Sequence, residues 1–228
     1  MFKSEELTRK GAETREVILD RALELFRQHG FSRTTMRDVA KAANLAVGAA
    51  YYYFPGKDAI VQAFYERVQH EHRARVSEIL RTGRPDLAGR LRSTLHAKLD
   101  IVQEQRGLLA AVLRFVVDPE HPLSPFASAT RDIRRDSIAV FAMAFDGESL
   151  PRDLAEILPE AVWMLHLLVL LFFVHDRSAQ QRRTRKLVDT MVDLLVAAIR
   201  LARLPVVAPI RRRMVAAFHD FRLTEAHA

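Results

Sequence analysis

The sequence predicts an all-α protein, and three observations carry that reading. Apolar residues recur at helical spacing from end to end of the 228 residues. No Val/Thr/Tyr-rich alternating run marks a strand, and eight glycines leave little material for a turn-heavy β fold. Breaks between the apolar stretches are short and carry turn chemistry.

The first helix is expected over residues 14–29, where Ile18, Ala22, Leu25 and Phe26 form one stripe. Thr14 is placed to cap its start, and Gly30 to close its end. Thr35-Met36-Arg37-Asp38 fits a capping box, so a short helix follows to about residue 43. Asn44 tolerates a positive φ and allows a tight turn. A second short helix covers about residues 47–54 and is halted by Pro55-Gly56. A longer helix, 57–81, carries Ile60, Phe64, Val68, Val76 and Ile79, and Thr82-Gly83-Arg84-Pro85 ends it. Beyond that break, helices are expected at 86–105, 107–117, 124–145, 152–175 and 179–204. The tail from Pro205 reads equally as one more short helix or as a loosely held basic extension. Four units result: 1–56, a connecting helix 57–82, a larger helical domain 83–204, and an extension 205–228.

With 49% apolar residues the chain can bury a real core. The absence of cysteine excludes a disulfide framework, a thiolate nucleophile and any Cys-ligated zinc or iron–sulfur centre. The amino terminus has no apolar stretch of secretory type. The longest apolar run, 161–174, is shorter than the roughly 18 residues a membrane crossing needs, and it contains His166. A cytoplasmic protein with no membrane partner is therefore expected. The charge is +7, compatible with a polyanionic partner.

Two short helices on a tight turn, preceded by an amphipathic helix, are the layout of a helix-turn-helix reader. Val39, Ala40, Ala43 and Leu45 supply the seam between them. Val47, Gly48, Ala49 and Ala50 keep the second helix slim enough for a major groove about 12 Å wide. Tyr51, Tyr52 and Tyr53 bring three phenolic hydroxyls, and three consecutive aromatics cannot all face inward on one helix. Core packing is the bland reading of such a cluster; the surrounding register favours contact with nucleic acid.

Residues 14–61, from Thr14-Arg15-Glu16-Val17-Ile18-Leu19 through Gly30-Phe31, Thr34 to Ala40 and Tyr51-Tyr52-Tyr53-Phe54-Pro55-Gly56-Lys57, resemble the DNA-binding domain of TetR/AcrR-type (tetracycline-repressor-like) regulators. The resemblance implies a homodimer on a palindromic double-stranded DNA operator, with a variable helical domain that binds a small-molecule effector. It puts Thr35 at a helix terminus facing a phosphate and Tyr51 and Tyr53 on backbone or bases. It makes Lys57 a phosphate holder where a helix N-terminus also favours an anion, and Phe54 a packing anchor. Arg37, Val47, Gly48, Ala49 and Tyr52 complete the expected DNA-binding set. Two departures stand out. Ala46 replaces the usual Ser or Thr cap of the recognition helix, losing about 1 kcal/mol. Ala49 limits base readout at its position to apolar contact, as with a thymine methyl.

Residues 1–57 hold ten basic and seven acidic side chains, enough for phosphate positioning but not for indiscriminate wrapping. Arg9-Lys10 reads either as a DNA-contacting arm or as solvated charge. His70-Glu71-His72 suggests metal at first sight, yet positions i and i+2 of a helix face apart, and a solvated face is the better reading. No metal site and no cofactor is expected. His96, Arg114, Met143, Trp163 and His166 are the ligand candidates, although Met and aromatic residues on apolar helices are more often core. Leu167, Leu171, Leu187, Met191, Leu194, Leu195 and Ala198 are the candidate dimer face. Arg182-Arg183 and Arg185-Lys186 sit at a helix start, where the macrodipole disfavours cations. That hints at an acidic partner, with solvated charge as the bland alternative. No catalytic constellation is visible. The expected function is a ligand-responsive DNA-binding transcriptional regulator, most simply a repressor; an activator is not separable from it. The alternative is an all-helical small-molecule binder or enzyme with a degenerate reader.

Overall fold

The computed structural model describes residues 2–83 and 85–220; Arg84 of the expected break and residues 221–228 of the tail lie outside them. The described residues form ten α-helices and no strand: α1 (Phe2–His29), α2 (Met36–Ala42), α3 (Val47–Tyr53), α4 (Lys57–Gly83), α5 (Leu87–Val102), α6 (Arg106–Val112), α7 (Arg131–Ala142), α8 (Arg152–His175), α9 (Arg182–Ala202) and α10 (Ala208–Asp220). The all-α expectation holds.

Several boundaries move, each for a local reason. Thr14 does not cap α1, which runs on toward the amino terminus. Its hydroxyl instead donates to the Lys10 carbonyl at 2.8 Å, as a mid-helix threonine does. The expected helix 124–145 begins only at Arg131. Pro125 disfavours helical backbone at Ser124, and the buried Thr130 hydroxyl donates to the Ser124 carbonyl at 2.6 Å, holding a turn there. The expected helix 107–117 tightens into a 3-10 turn after Val112. Left-handed Gln180 and Gln181 (φ 51° and 50°) delay α9 to Arg182. Up to Asp220 the tail is the helical alternative: α10 packs on α8, buries Val215, and Arg211 binds Asp153 at 2.9 Å.

Helices α1 to α3 share a small core of Ile18, Phe26, Val39, Ala50 and Phe54 with the first half of α4. The second half of α4 packs against α5 and α7, so one helix belongs to both parts. Helix α8 is long and apolar enough by composition to cross a membrane. Half of its apolar window is buried in the fold, against α6, α7, α9 and α10.

Candidate nucleic-acid interface and ligand cavity

The start of α2 is built as its sequence requires. The Asp38 amide donates to Thr35 Oγ1 at 3.2 Å, while the Thr35 amide and hydroxyl donate to Asp38 Oδ2 at 2.9 and 2.7 Å. Those bonds, the side-chain one foremost, hold the Asp38 carboxyl below the usual carboxylate range. Thr35 is exposed, but its hydroxyl is engaged in this box. The turn rests on Asn44 at φ 55°, and α3 starts at Ala46 without a side-chain cap.

On α3 only Ala50 is fully buried, and Phe54 closes the helix as the buried anchor. Val47, Gly48, Tyr51 and Tyr52 form its outer face, with Arg37 and Lys41 of α2 exposed beside them. Tyr52 is 83% exposed, and Tyr53 is half-buried with its ring edge-on to Tyr52 at 5.2 Å. Ala49 is half-buried, leaving little of it for a base edge. A Cβ added at Gly48 would meet nothing within 4 Å, so no internal contact requires glycine there. Helical glycine costs about 0.5–1 kcal/mol relative to alanine. Gly48→Ala is therefore expected to stabilise the chain by that amount in urea unfolding; a loss would show that packing demands the glycine.

The Lys57 ammonium is not free in solvent. It donates to the Phe31 carbonyl at 2.6 Å and lies 4.5 Å from the Phe31 ring centre, and burial lowers its pKa. Its place at the start of α4 agrees with expectation, but it clasps the reader's own α1–α2 turn. Further along α4, Arg67 reaches Asp20 at 2.6 Å and Glu16 at 2.8 Å, and Arg15 lies over the Phe54 ring. Exposed ion pairs contribute little each to stability. Together they hold α4 to α1 in one orientation.

A partly open cavity, with room for water centres over about 90 Å³, lies between α4, α5, α6, α7 and α8. Its wall is mostly apolar, including Phe64, Val68, Val102, Leu109, Leu123 and Trp163. Of the five expected ligand residues, Trp163 and His166 line it. The other three do not. His96 faces α9, its Nε2 at 2.9 Å from Asp189; Arg114 stands exposed over the Phe115 ring; Met143 packs with Val76, Ala97 and Val140. Lys98, Gln69, Arg134 and Ser137, which sequence reading passed over, line the cavity instead.

His70 is exposed while His72 is buried against Thr94, so the triplet 70–72 is not one solvated face. Arg185 pairs within the chain, with Asp100 at 2.6 Å. Leu167, expected on the dimer face, lines the cavity, because it lies one residue back from the outward row of α8. Leu171, Leu194 and Ala198 are exposed, with Leu187, Met191 and Leu195 half-buried beside them. Together with Leu168, Phe172 and Leu201 they form an apolar face on α8 and α9.

A three-helix reader with a slim, aromatic second helix, tied through one shared helix to a cavity-bearing helical body, defines a DNA-binding regulator of the helix-turn-helix class. Two family models agree: bacterial regulatory proteins of the tetR family over residues 18–64, and the tetracyclin repressor-like C-terminal domain over residues 90–212. The chain belongs to the TetR family of transcriptional regulators. It is 40% identical over 68 residues to the regulator TtgR of Pseudomonas putida, covering 29% of this chain and 32% of that one. It is 24% identical over 134 residues to the repressor BepR of Brucella suis, covering 58% and 64%. The match thus spans about a third of the length of TtgR. Among solved structures, Thermus thermophilus FadR in complex with lauroyl-CoA superposes with a TM-score of 0.63 at 22% identity, covering 80% of this chain and 93% of that one. A TetR regulator from Nitrosomonas europaea gives 0.61 at 18%, covering 79% and 96%. At such identities the likeness is one of fold.

Proposed function

We propose that the protein is a cytoplasmic, homodimeric repressor that leaves a palindromic operator when a small molecule fills the cavity. The observation that carries this reading is a shared wall. Helix α4 supplies Phe64, Tyr65, Val68 and Gln69 to the cavity and, through Lys57 and Arg67, holds the reader. Helix α6 supplies Leu109 and Val112 to the same cavity while packing on α1. A ligand that fits one tilt of α4 better than another shifts the spacing of two readers, by no more than its differential affinity for the two states.

Base readout falls to Val47, Gly48, Tyr51 and Tyr52. Arg37, Lys41, Thr35 and Tyr53 serve phosphate positioning. Lys57 acts from behind, as the clasp between α4 and the reader. Of the relatives, the probable acrEF/envCD operon repressor of Escherichia coli, 46% identical over 44 residues, is a repressor by name, and the FadR structure holds an acyl-CoA.

Selection from random duplex DNA tests the reading. The expected result is one enriched palindrome with half-sites about one helical turn apart, whose binding Gly48→Leu abolishes without loss of fold. Recovery of no palindrome would instead favour the helical binder with a degenerate reader.

A further inference from the structure

We propose that the cavity is a receptor for an amphiphilic monocarboxylate, its carboxylate held by Lys98 with Ser137 and Gln69, and its apolar body lying along Trp163, Leu109 and Val112. This rests on the reading of the cavity as the effector site and names the chemical class it takes.

Lys98 is 2% exposed, and its ammonium donates to Gln69 Oε1 at 2.9 Å. A buried ammonium with only an amide partner is costly, and an anion is what would offset the cost. No Asp or Glu lines the cavity. Ser137 is equally buried on the same wall, and its hydroxyl has no hydrogen-bond partner. A carboxylate has two oxygens, one for the ammonium and one for this orphaned hydroxyl.

The surrounding groups argue against a dianion. Arg134, the other cation of the wall, already donates to the Pro125 and Ala127 carbonyls at 2.8 and 3.2 Å, and Glu160 on α8 attracts it. His72 on α4 and His166 on α8 are held neutral, to about 2 and about 3, by burial first and then by the charge of Lys98. His166 Nδ1 lies against the Trp163 carbonyl, a bond that favours the charged ring, but burial outweighs it and the ring adds no positive charge. One ammonium held only by an amide and one unpartnered hydroxyl fit a single negative charge.

Burial also lowers Lys98 to about 7. A bound carboxylate favours the charged amine, so binding takes up a proton above neutral pH, and affinity falls as pH rises beyond 7. His72, His166, Arg134 and the Tyr65 phenol, whose pKa burial raises, are the titratable groups around it, and none changes charge between pH 7 and 9.

Trp163 is the chain's single tryptophan and lines the cavity, so its fluorescence reports occupancy directly. The full chain is titrated with decanoate, decanol, decyl phosphate and decyltrimethylammonium. The expected order puts decanoate tightest, decanol about ten-fold or more weaker, and the cation without effect. Lys98→Met should weaken decanoate about ten-fold or more, leave decanol unchanged, and raise the melting temperature of the ligand-free protein. Ser137→Ala should weaken decanoate by a smaller factor. Equal binding of decanoate and decanol, or decanoate binding untouched by Lys98→Met, overturns the proposal. Tighter binding of decyl phosphate overturns the carboxylate in favour of a phosphate head. Operator binding by the ligand-free protein is scored separately, so failure of the regulator reading and failure of this one are told apart.

Discussion

Asp176→Ala is expected to lower the free energy of unfolding by about 2–4 kcal/mol, read by urea denaturation at fixed protein concentration. The residue lies at the corner between α8 and α9, buried to 5% exposure. Its carboxylate accepts four hydrogen bonds: from the Ser178 amide and hydroxyl at 2.9 and 2.7 Å, and from the Thr184 amide and hydroxyl at 2.9 and 2.8 Å. Alanine would leave those donors without acceptors, two of them on Thr184, which is buried. Nearby, Arg106 donates to the Phe173 and Asp176 carbonyls at 2.8 and 2.6 Å, closing the end of α8. Burial alone would raise the Asp176 carboxyl, but the bonds from Ser178 and Thr184 outweigh it and hold the group well below the usual range.

The pH dependence has a definite sign. A carboxyl lowered in the folded state contributes stability above its ordinary pKa, and the contribution is lost as pH falls below about 4. His72 and His166 are imidazoles lowered to about 2 and about 3. The unfolded chain binds their protons first, so they too drain stability as pH falls, but beginning near 6.5. Asp176→Ala should therefore flatten the stability profile below pH 4 and leave its slope between 4 and 6.5 intact. An unchanged acid limb would show that the corner does not depend on the charge.

The reader was legible because its signals are local. The Thr35–Asp38 box, Asn44 and the Pro55-Gly56 stop act within a few residues of one another, and each is found where the sequence puts it. The cavity was illegible for the opposite reason, since five helices supply its wall. Yet a signal was present. Leu91, Leu95, Lys98 and Val102 lie at i, i+4, i+7 and i+11, and all four are buried. Thr130, Arg134, Ser137 and Phe141 repeat the same spacing, and Val68, His72 and Val76 form a like buried row at i, i+4 and i+8. A polar residue that interrupts an apolar stripe is buried with it, and that rule picks Lys98 and Ser137 over His96. His96 lies just off the Leu95 stripe and turns to Asp189 on α9. Residues 124–130 are not the helix their composition suggests, because helix-forming composition says nothing of how Pro125 and buried Thr130 hold a turn.

Leu194→Glu is expected to convert a dimer into a 26 kDa monomer in sedimentation at micromolar concentration. The same variant should lose about 100-fold or more in operator affinity, because linked half-sites raise affinity by about 10²–10⁴. Helix α9 carries two apolar rows. Val188, Val192, Val196 and Ile199 are buried against the chain's own core, while Leu194, 66% exposed, and Leu201 face outward. Beside them α8 presents Leu168, Leu171 and Phe172, and α10 adds Ile210 and Met214. A folded monomer gains nothing from so much exposed leucine, and contiguous apolar surface of this kind marks an interaction site. Two outward helices meeting their symmetry mates would bury it as a four-helix interface. A glutamate at 194 costs the monomer little, since the position is solvated, but in a dimer built on this face it would be buried against apolar surface. Unfolding midpoint and helical content of the monomeric variant should then become independent of concentration. Retention of the dimer by Leu194→Glu would move the interface off this face and leave the α8–α9 surface without a partner.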